Sequence, residues 1–192
     1  LLVEAGLEEQ STAHQAQLLT MQLTAGLNCP PASSMGRLFD GVYALLGGSS
    51  PVHYEGESAI RLEHMAQAGI TQSLPVEVET VDGVCRLITP ALTAALMERK
   101  AAGDSPHLLA AQFMNAMVEL AVKQCQFARE RTGLSRVVLS GGVFQNMYLL
   151  PRILDALAAQ GFEAYHHSRV STNDEGIALG QLIAAAARRK EG

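Results

Sequence analysis

A glycine pair that follows a short apolar stretch is the segment of this sequence best suited to bind a ligand. Val137, Val138 and Leu139 lead directly into Ser140-Gly-Gly-Val-Phe-Gln-Asn146. The two glycines remove side chains where a ligand could lie against the backbone, and a helix that starts there would present unpaired N–H groups and the positive end of its dipole. Phosphate or ribose oxygens suit such a place. Any tight turn between a strand and a helix can use the same pair, so the loop alone leaves both interpretations open.

A second polar segment, Thr172-Asn-Asp-Glu-Gly176, precedes the last apolar helix of the sequence. It follows a short predicted strand, so in a parallel sheet it lies at the same carboxyl edge as the glycine pair. A carboxylate of Asp174 or Glu175 could ligate a divalent metal, which phosphate chemistry uses to neutralise charge. The same residues could instead begin a helix and place acidic groups in its first turn.

The other reactive side chains form no recognisable catalytic or metal-binding motif. The three cysteines lie far apart without a CxxC pair, so neither a zinc knuckle nor a disulfide framework is indicated. Cys125 is expected to pack in a helix core as an inert thiol. Ser140 is not part of a GxSxG elbow and is not expected to be a nucleophile. His166 and His167 lie at the end of a predicted strand, where successive side chains point to opposite faces, and they are expected to be surface or edge residues.

The composition is that of a folded, weakly acidic protein. Of the 192 residues, 48% are hydrophobic and 17% are charged, and the net charge is −5. A chain of this kind can bury a sizeable core. Because no block of Lys and Arg is longer than Arg188-Arg189-Lys190, nucleic acid is not an expected partner. No apolar run reaches the roughly 18 to 20 residues that cross a bilayer, so no membrane association is expected either, and a cytoplasmic location is favoured.

Apolar periodicity divides the chain into a helix-rich first part and an α/β second part. Helices are predicted over residues 3–27, from Ser33 or Ser34 to Leu46, and over residues 55–69, 90–101 and 105–131. Alternating valines between Pro75 and Ile88, with Asp82-Gly83 between them, predict an antiparallel hairpin. We therefore expect a helical portion over residues 1–75 and an α/β lobe over residues 76–192.

The last part of the chain alternates between strand and helix. Strands are predicted over residues 136–140 and 162–166, and helices over residues 147–160 and 176–189. This order implies parallel strands that bind a ligand at their carboxyl ends. The apolar run from Val137 to Leu139 is typical of a parallel strand that is buried on both faces.

Four segments resemble, in the same order, the carboxy-terminal part of the HypF carbamoyltransferases. They are Ser33-Ser-Met-Gly-Arg-Leu-Phe-Asp40, Tyr54-Glu-Gly-Glu-Ser-Ala-Ile60, Leu139-Ser-Gly-Gly-Val-Phe-Gln-Asn146 and Asn173-Asp-Glu-Gly-Ile-Ala-Leu-Gly-Gln181. The resemblance spans about residues 28–189. It extends more loosely to the TsaD-like threonylcarbamoyl-transfer proteins and to the O-carbamoyltransferases of antibiotic pathways. The fold that it implies is an actin/hexokinase-like ATPase (ribonuclease H-like), in which ATP lies between two α/β lobes, and this chain resembles mostly the second lobe.

The chemistry that the resemblance implies is carbamoyl transfer driven by ATP. Carbamoyl phosphate and ATP would yield carbamoyl adenylate, whose carbamoyl group passes to the carboxy-terminal cysteine of a HypE-like acceptor protein. The product becomes a cyanide ligand of the iron in [NiFe]-hydrogenases. ATP and a divalent metal are the implied cofactors, and the sequence does not distinguish Mg, Fe and Zn.

Carried over to this chain, the resemblance assigns nucleotide contacts to both of its parts. Gly141, Gly142, Val143 and Asn146 would hold the nucleotide, and Asp174 would be the metal ligand. The helical portion would line the cleft opposite them through the residues Ser34, Gly36, Arg37 and Asp40.

Each of these assignments has a structural alternative. Asn146 could cap a helix, and Arg37 and Asp40, three residues apart, could form a solvated ion pair. Glu57 could line the same cleft or start a helix.

Several elements of the family pattern have no counterpart in these 192 residues. They are the histidine-rich metal motif and the acylphosphatase-like, zinc-binding and carbamoyl-adenylate-forming modules. We therefore expect a part of a longer enzyme that lacks full activity without the upstream domains, and whose exposed lobe face could drive homodimer formation. The alternatives are a phosphotransferase of the same ATPase superfamily and a non-catalytic scaffold for hydrogenase maturation.

Overall fold

The protein is an α/β chain, as expected. The computed structural model describes residues 1, 16–30, 32–48 and 52–190. Its elements are α1 Ala16–Ala25, α2 Met35–Leu45, α3 Glu57–Met65, β1 Val78–Val81, β2 Val84–Leu87, α4 Thr89–Ala101, α5 Pro106–Thr132, β3 Arg136–Leu139, α6 Leu149–Ala159, β4 Glu163–His166 and α7 Ile177–Lys190. Short 3₁₀ helices lie at Gly142–Gln145 and Asp174–Gly176. Of the helix predicted over residues 3–27, residues 3–15 lie outside the described residues.

Contacts group residues 1–120 into one compact unit and residues 121–192 into another. The expected division into residues 1–75 and 76–192 follows the change from helices to strands along the chain, and it stays a prediction about domain organisation. No helix among the described residues has both the length and the apolar character needed to cross a membrane.

Helix ends in the first unit follow local sequence signals. Ser34 is the N-cap of α2, and its Oγ accepts a hydrogen bond from the backbone N–H of Arg37 at 3.4 Å. α4 has Pro90 in its first turn, where the missing N–H would have no helical partner. α3 is shorter than predicted at both ends, because it begins only after Gly56, whose backbone is left-handed at φ 82°, and stops at Met65, since Ala66 has an extended backbone at ψ 114°.

β1 and β2 form the predicted antiparallel hairpin, with Val81 paired to Val84 next to the turn. Asp82 and Gly83 have φ values of 51° and 78°. Positive φ at both central residues is the requirement of a tight two-residue hairpin turn, and Asp-Gly meets it at low cost.

The core of the first unit is built around the first half of α5. Consecutive residues from Leu109 to Met114 are buried, so this half of the helix is covered on all sides, as its broad apolar surface predicts. The rings of Phe39 and Phe113 meet edge to face at the centre, with centroids 5.1 Å apart. The core of this unit also includes Leu62, Leu74, Leu92 and Leu96, all almost completely buried.

The chain that follows α3 is fastened to α5 by hydrogen bonds rather than by secondary structure. The Nδ2 atom of Asn115 donates to the carbonyl oxygens of Ile70 and Gln72, at 3.0 and 2.8 Å. The N–H of Leu74 donates to the carbonyl of Gln112 at 3.2 Å. These bonds satisfy the backbone of a segment without regular structure and place Leu74 in the core.

The second unit has a smaller core beneath its two-stranded parallel sheet. Leu149, Ile153 and Leu157 of α6 are buried, together with Leu139 and Phe162. The guanidinium of Arg129 lies 4.0 Å from the ring centroid of Phe162. α7 is exposed along its described side chains, including Leu182 at 69%.

The expectation that β3 is buried on both faces is wrong. Leu139 is 5% exposed, but Val138 is 71% exposed, because the described residues cover only one face of this two-stranded sheet at that point. An apolar β-branched run indicates a strand that tolerates burial on both sides. Such a run does not show that other residues pack on both faces of the sheet.

The aromatic pair of the first unit provides a test of this core. Phe113→Ala is expected to lower the free energy of unfolding by about 3–5 kcal/mol, because it leaves a cavity beside Phe39. Urea unfolding followed by circular dichroism measures the loss. The matched control is Leu27→Ala, at a side chain that is 59% exposed, where a change within about 0.5 kcal/mol is expected. Equal effects of the two variants would contradict the placement of Phe113.

Candidate functional site

The parallel pairing of β3 and β4 brings the two predicted loops to one edge. The strands pair in register from Arg136 with Glu163 to Leu139 with His166. The glycine loop leaves the end of β3, and the chain after β4 returns to it. The predicted convergence of these two segments at the carboxyl ends of the strands is present.

Gly141 and Thr172 are the residues that join the two segments. The N–H of Gly141 donates to the carbonyl oxygen of Thr172 at 2.9 Å and also lies 3.1 Å from its Oγ1. The hydroxyl of Thr172 in turn donates to the carbonyl oxygen of Gly141 at 3.2 Å. Gly141 has φ 114° and ψ 159°, a backbone conformation that is essentially restricted to glycine. The first glycine is therefore required by the backbone, and its N–H is already used.

The second glycine lies beside open space. A Cβ atom added to Gly142 would meet no other heavy atom within 4 Å, and its φ is not in the left-handed region. The fold therefore does not explain why this position lacks a side chain. The N–H groups of Gly142 and Val143 begin a 3₁₀ helix, and neither donates to another of the described residues.

The helix predicted over residues 147–160 is present as α6, but its N-terminus does not lie at the glycine pair, where the sequence analysis expects unpaired N–H groups of this helix. The 3₁₀ helix over Gly142–Gln145 comes first, and α6 starts only at Leu149. The physical reason is that Asn146 adopts an extended backbone at ψ 113°, which separates the two helical segments. The N-terminus of α6 is thus separated from the glycine pair by the 3₁₀ helix.

Asn146 is buried and closes the start of α6. Its Oδ1 accepts hydrogen bonds from the N–H groups of Tyr148 and Leu149, at 3.0 and 2.9 Å. The first N–H groups of a helix have no partner within the helix, so a side-chain oxygen at this place stabilises it. The capping alternative for Asn146 is therefore confirmed, while a contact with nucleotide stays a prediction.

The acidic loop forms a short 3₁₀ helix at Asp174–Gly176. Asn173 is its N-cap, and the Oδ1 of Asn173 accepts from the N–H of Glu175 at 3.1 Å and from the hydroxyl of Ser171 at 2.5 Å. Asp174 is exposed, and its carboxylate forms no hydrogen bond or ion pair with another described residue. Among the residues that the structure describes, no three His, Cys, Asp or Glu side chains are grouped as a metal site. The role of Asp174 as a metal ligand stays a prediction.

The other predicted nucleotide contacts lie on α2, in the first unit. Ser34 uses its hydroxyl as the helix cap, and Gly36 is exposed next to it. The Nη2 atom of Arg37 lies 2.9 Å from Oδ2 of Asp40, so the ion pair that the three-residue spacing allows is present. Both partners remain partly exposed. Contacts of Ser34, Gly36, Arg37 and Asp40 with nucleotide stay predictions, since the ion pair alone explains the charges.

Glu57 is a structural residue at the start of α3. Its carboxylate is buried, and it accepts a hydrogen bond from the backbone N–H of His53 at 2.5 Å. Arg61 approaches its other oxygen at 2.5 Å and also donates to the hydroxyl of Tyr43 at 3.4 Å. The hydrogen bond from the His53 backbone lowers the pKa of the Glu57 carboxyl, burial opposes this shift, and the charge of Arg61 adds to the lowering.

The sequence does not predict the contacts of two polar residues at the carboxyl edge. Thr172 holds the glycine loop, and His167 places Nε2 at 3.0 Å from the hydroxyl oxygen of Ser140. The strand register extended by one residue sets Ser140 opposite His167, so parallel pairing was the signal that could have found this contact.

Cys125 is a residue whose lack of reactivity the sequence does predict. Cys125 is only partly buried and is not the core residue that was expected, but this burial raises the pKa of its thiol, as is typical of an unreactive cysteine.

Comparison with known proteins matches this chain to carbamoyltransferases over most of its length. The family model described as "Carbamoyltransferase, Kae1-like Domain, second subdomain" matches residues 3–181. Carbamoyltransferase HypF of Synechocystis is 33% identical over 163 residues, which are 84% of this chain and 20% of that protein. Carbamoyltransferase HypF of Rhodobacter capsulatus is 36% identical over 174 residues, which are 88% of this chain and 22% of that protein.

A solved structure is similar over nearly the whole chain. It is the crystal structure of full-length HypF in the phosphate- and nucleotide-bound form, with a TM-score of 0.85 and 33% sequence identity. The match covers 96% of this chain and 24% of that protein. The chain thus spans between a fifth and a quarter of the length of the relatives that it matches.

The hydrogen bonds of Asn146 predict a measurable contribution to stability. Asn146→Ala is expected to lower the free energy of unfolding by about 1 kcal/mol, because the N–H groups of Tyr148 and Leu149 lose their acceptor. Asn146→Ser keeps an acceptor oxygen and should recover part of this loss. Denaturant unfolding measures both variants. An alanine variant as stable as the wild type would show that this side chain does not support α6.

The lowered pKa of Glu57 predicts an acid-dependent contribution to stability. A carboxyl group whose pKa is lower in the folded state stabilises the fold fully above its ordinary value of 4.5, and this contribution disappears as the pH falls through the folded value. Glu57→Gln should therefore lower the melting temperature at pH 7 and have progressively less effect below pH 4.5. The control is Glu98→Gln, at an exposed position of α4. A Glu57→Gln difference that is constant from pH 7 to pH 3 would contradict the account.

Proposed function

The chain belongs to the HypF carbamoyltransferase family, as a Kae1-like second subdomain, and on this basis we propose that it is the nucleotide-binding part of an ATP-using carbamoyltransferase. The observation that carries the proposal is the joint between Gly141 and Thr172. It fixes a stretch of backbone without side chains at the carboxyl ends of parallel strands, where α/β proteins bind their ligands.

Gly142 is the residue of this loop that best supports a ligand contact. The fold would accept a Cβ there, so a bound group provides the reason for glycine that the fold itself does not. The N–H groups of Gly142 and Val143 would donate to oxygens of the nucleotide. Asn146 would act by holding the end of the loop, since its Oδ1 is already engaged by α6.

Among the relatives, one observation bears on the ligand. The full-length HypF that is similar to this chain was solved in a phosphate- and nucleotide-bound form. We infer the same ligand class for this chain. The proposed architecture around it is the actin/hexokinase-like ATPase fold, to which residues 121–192 would contribute the parallel strands.

A divalent cation would complete the site. Asp174 fits the role of a single carboxylate ligand, because it lies in the loop held by Thr172, is exposed and has no described partner. Mg²⁺ is commonly held by one or two carboxylates together with phosphate oxygens of the substrate. Bound there, the cation would neutralise charge on the phosphate groups, while Asp174 would fix its position. Fe and Zn remain alternatives to Mg in this proposal.

The whole enzyme would carry out carbamoyl transfer with further domains. Carbamoyl phosphate would first be hydrolysed to carbamate and inorganic phosphate, and an oxygen of carbamate would then attack the α-phosphorus of ATP to form carbamoyl adenylate with release of pyrophosphate. The thiol of the carboxy-terminal cysteine of a HypE-like acceptor would then take the carbamoyl group and release AMP. A phosphotransferase of the same superfamily would instead release ADP, so the nucleotide product formed by the longer enzyme distinguishes the two reactions. The chain by itself is proposed to bind nucleotide and not to complete the transfer.

Gly142 provides the sharpest test of nucleotide binding. Gly142→Val is expected to weaken binding of ATP with Mg²⁺ at least about tenfold, because the added side chain would occupy the space of the ligand and about 1.4 kcal/mol of lost contact suffices for this change. Isothermal titration calorimetry measures the affinity. The melting temperature should stay close to that of the wild type, since a Cβ at this position meets nothing.

The matched control for this substitution is Gly180→Val on α7. Gly180 likewise has no left-handed φ and no atom within 4 Å of an added Cβ. This variant should bind ATP as the wild type does. A folded Gly142→Val variant with unchanged affinity, or a wild-type chain that binds no ATP, would contradict the proposed function. Gly142→Ala serves as the milder variant if valine disturbs the fold.

A further inference from the structure

Ser140 and His167 form a polar pair at the carboxyl ends of β3 and β4. Each is the first residue after its strand, and the in-register pairing of Leu139 with His166 sets them opposite each other. The distance from Nε2 of His167 to Oγ of Ser140 is 3.0 Å, and both side chains are exposed. The pair thus combines a titratable ring with a hydroxyl that can either donate or accept a hydrogen bond.

The pair lies directly beside the open backbone of the glycine loop. Ser140 precedes Gly141 and Gly142, at neither of which an added Cβ would meet an atom within 4 Å. The hydroxyl of Ser140 is therefore adjacent to the stretch of chain with the most room for a ligand in this loop. The hydrogen bonds of Thr172 to Gly141 fix the backbone on which Ser140 is carried.

The tautomer and the protonation state of His167 together decide what the Ser140 hydroxyl can offer to that ligand, and only the protonated ring adds a charge. A neutral imidazole without a proton on Nε2 accepts the hydrogen bond that the Ser140 hydroxyl donates, so only lone pairs of Oγ remain for another group. A protonated imidazole donates its Nε2–H to Oγ. The hydroxyl proton is then free to be donated to a third atom, and the ring adds a positive charge. Both changes would strengthen the binding of an anionic oxygen, because it can accept the hydrogen bond of the hydroxyl and is attracted by the positive charge of the ring.

A nucleophilic role for Ser140 has less support. A serine that is activated by histidine needs a third group to orient the second ring nitrogen of the histidine. Among the described residues, none lies within hydrogen-bonding distance of Nδ1 of His167. The neighbouring contact involves only its backbone, because Nδ1 of His166 lies 3.0 Å from the carbonyl oxygen of His167.

We propose that Ser140 and His167 bind a phosphate oxygen of the nucleotide, with His167 acting as the positioning residue that turns the Ser140 hydroxyl into a donor. This inference rests on the proposed nucleotide binding and adds to it a contact and a dependence on pH. The other titratable or charged groups on the strands and on the loop after β4 are Arg136, Glu163, Tyr165, His166, Arg169, Asp174 and Glu175. Arg136 and Glu163 pair with each other at the opposite end of the strands, at 3.3 Å.

Calorimetric titration with ATP and Mg²⁺ at pH 6 and pH 8 tests the pair, because imidazoles change charge within this range. The wild-type chain is expected to bind more tightly at pH 6, by about tenfold for a charge-assisted hydrogen bond. His167→Gln should remove most of this pH dependence. Ser140→Ala should weaken binding mainly at pH 6. Protonation of the ligand itself is common to all of the proteins compared.

His166→Gln is the matched control, because it removes the neighbouring imidazole and leaves the pair intact. It should keep the pH dependence of the wild type. Thermal unfolding confirms that each variant folds, and His167→Asn replaces the glutamine variant if that one does not. A folded His167→Gln or His167→Asn protein with the wild-type pH dependence would overturn this inference and leave the proposed function standing. A wild-type chain that binds no ATP at either pH would overturn both.

Discussion

The joint between Gly141 and Thr172 is the interaction on which the candidate site depends. Parallel strands are not connected by a short turn, so the ends of β3 and β4 need a separate interaction to hold their loops together. The N–H and carbonyl of Gly141 both bond to Thr172, which supplies that interaction. Because Gly141 has a backbone conformation open only to glycine, the loop can make these bonds and still leave its outer side free. The open position at Gly142 and the Ser140–His167 pair both follow from this arrangement.

The first unit is stabilised mainly by apolar packing, together with hydrogen bonds to its irregular segments. Its core is a layer of apolar side chains around α5, centred on Phe39 and Phe113, and its irregular segments are fixed by hydrogen bonds such as those of Asn115. The only carboxylate buried among the described residues belongs to Glu57, which has a backbone donor and a guanidinium partner. A carboxylate satisfied in this way organises the start of α3 and needs no ligand to explain it.

Local signals made much of this fold predictable. The Asp82-Gly83 turn, the Ser34 cap and the apolar periodicity of α5 and α6 each specify an element through short-range chemistry. Four motifs in order identified the family, which the match over residues 3–181 confirms. The exposure of Val138, the 3₁₀ helix after Gly141 and the contact of His167 with Ser140 were not foreseen, because each depends on which neighbour lies against the strand end. The nucleotide, metal and acceptor protein remain proposals, since no local pattern of these residues is specific to one ligand.

The central claim is that the backbone beside Gly142 binds the nucleotide. The most direct measurement is a titration of the isotope-labelled chain with ATP and Mg²⁺, followed by amide chemical shifts in nuclear magnetic resonance spectra. The account predicts that the largest shifts belong to the amides of Gly141, Gly142 and Val143, while those of α1 stay unchanged. Shifts confined to other parts of the chain, with the amide of Gly142 unaffected at saturating ATP, would contradict it.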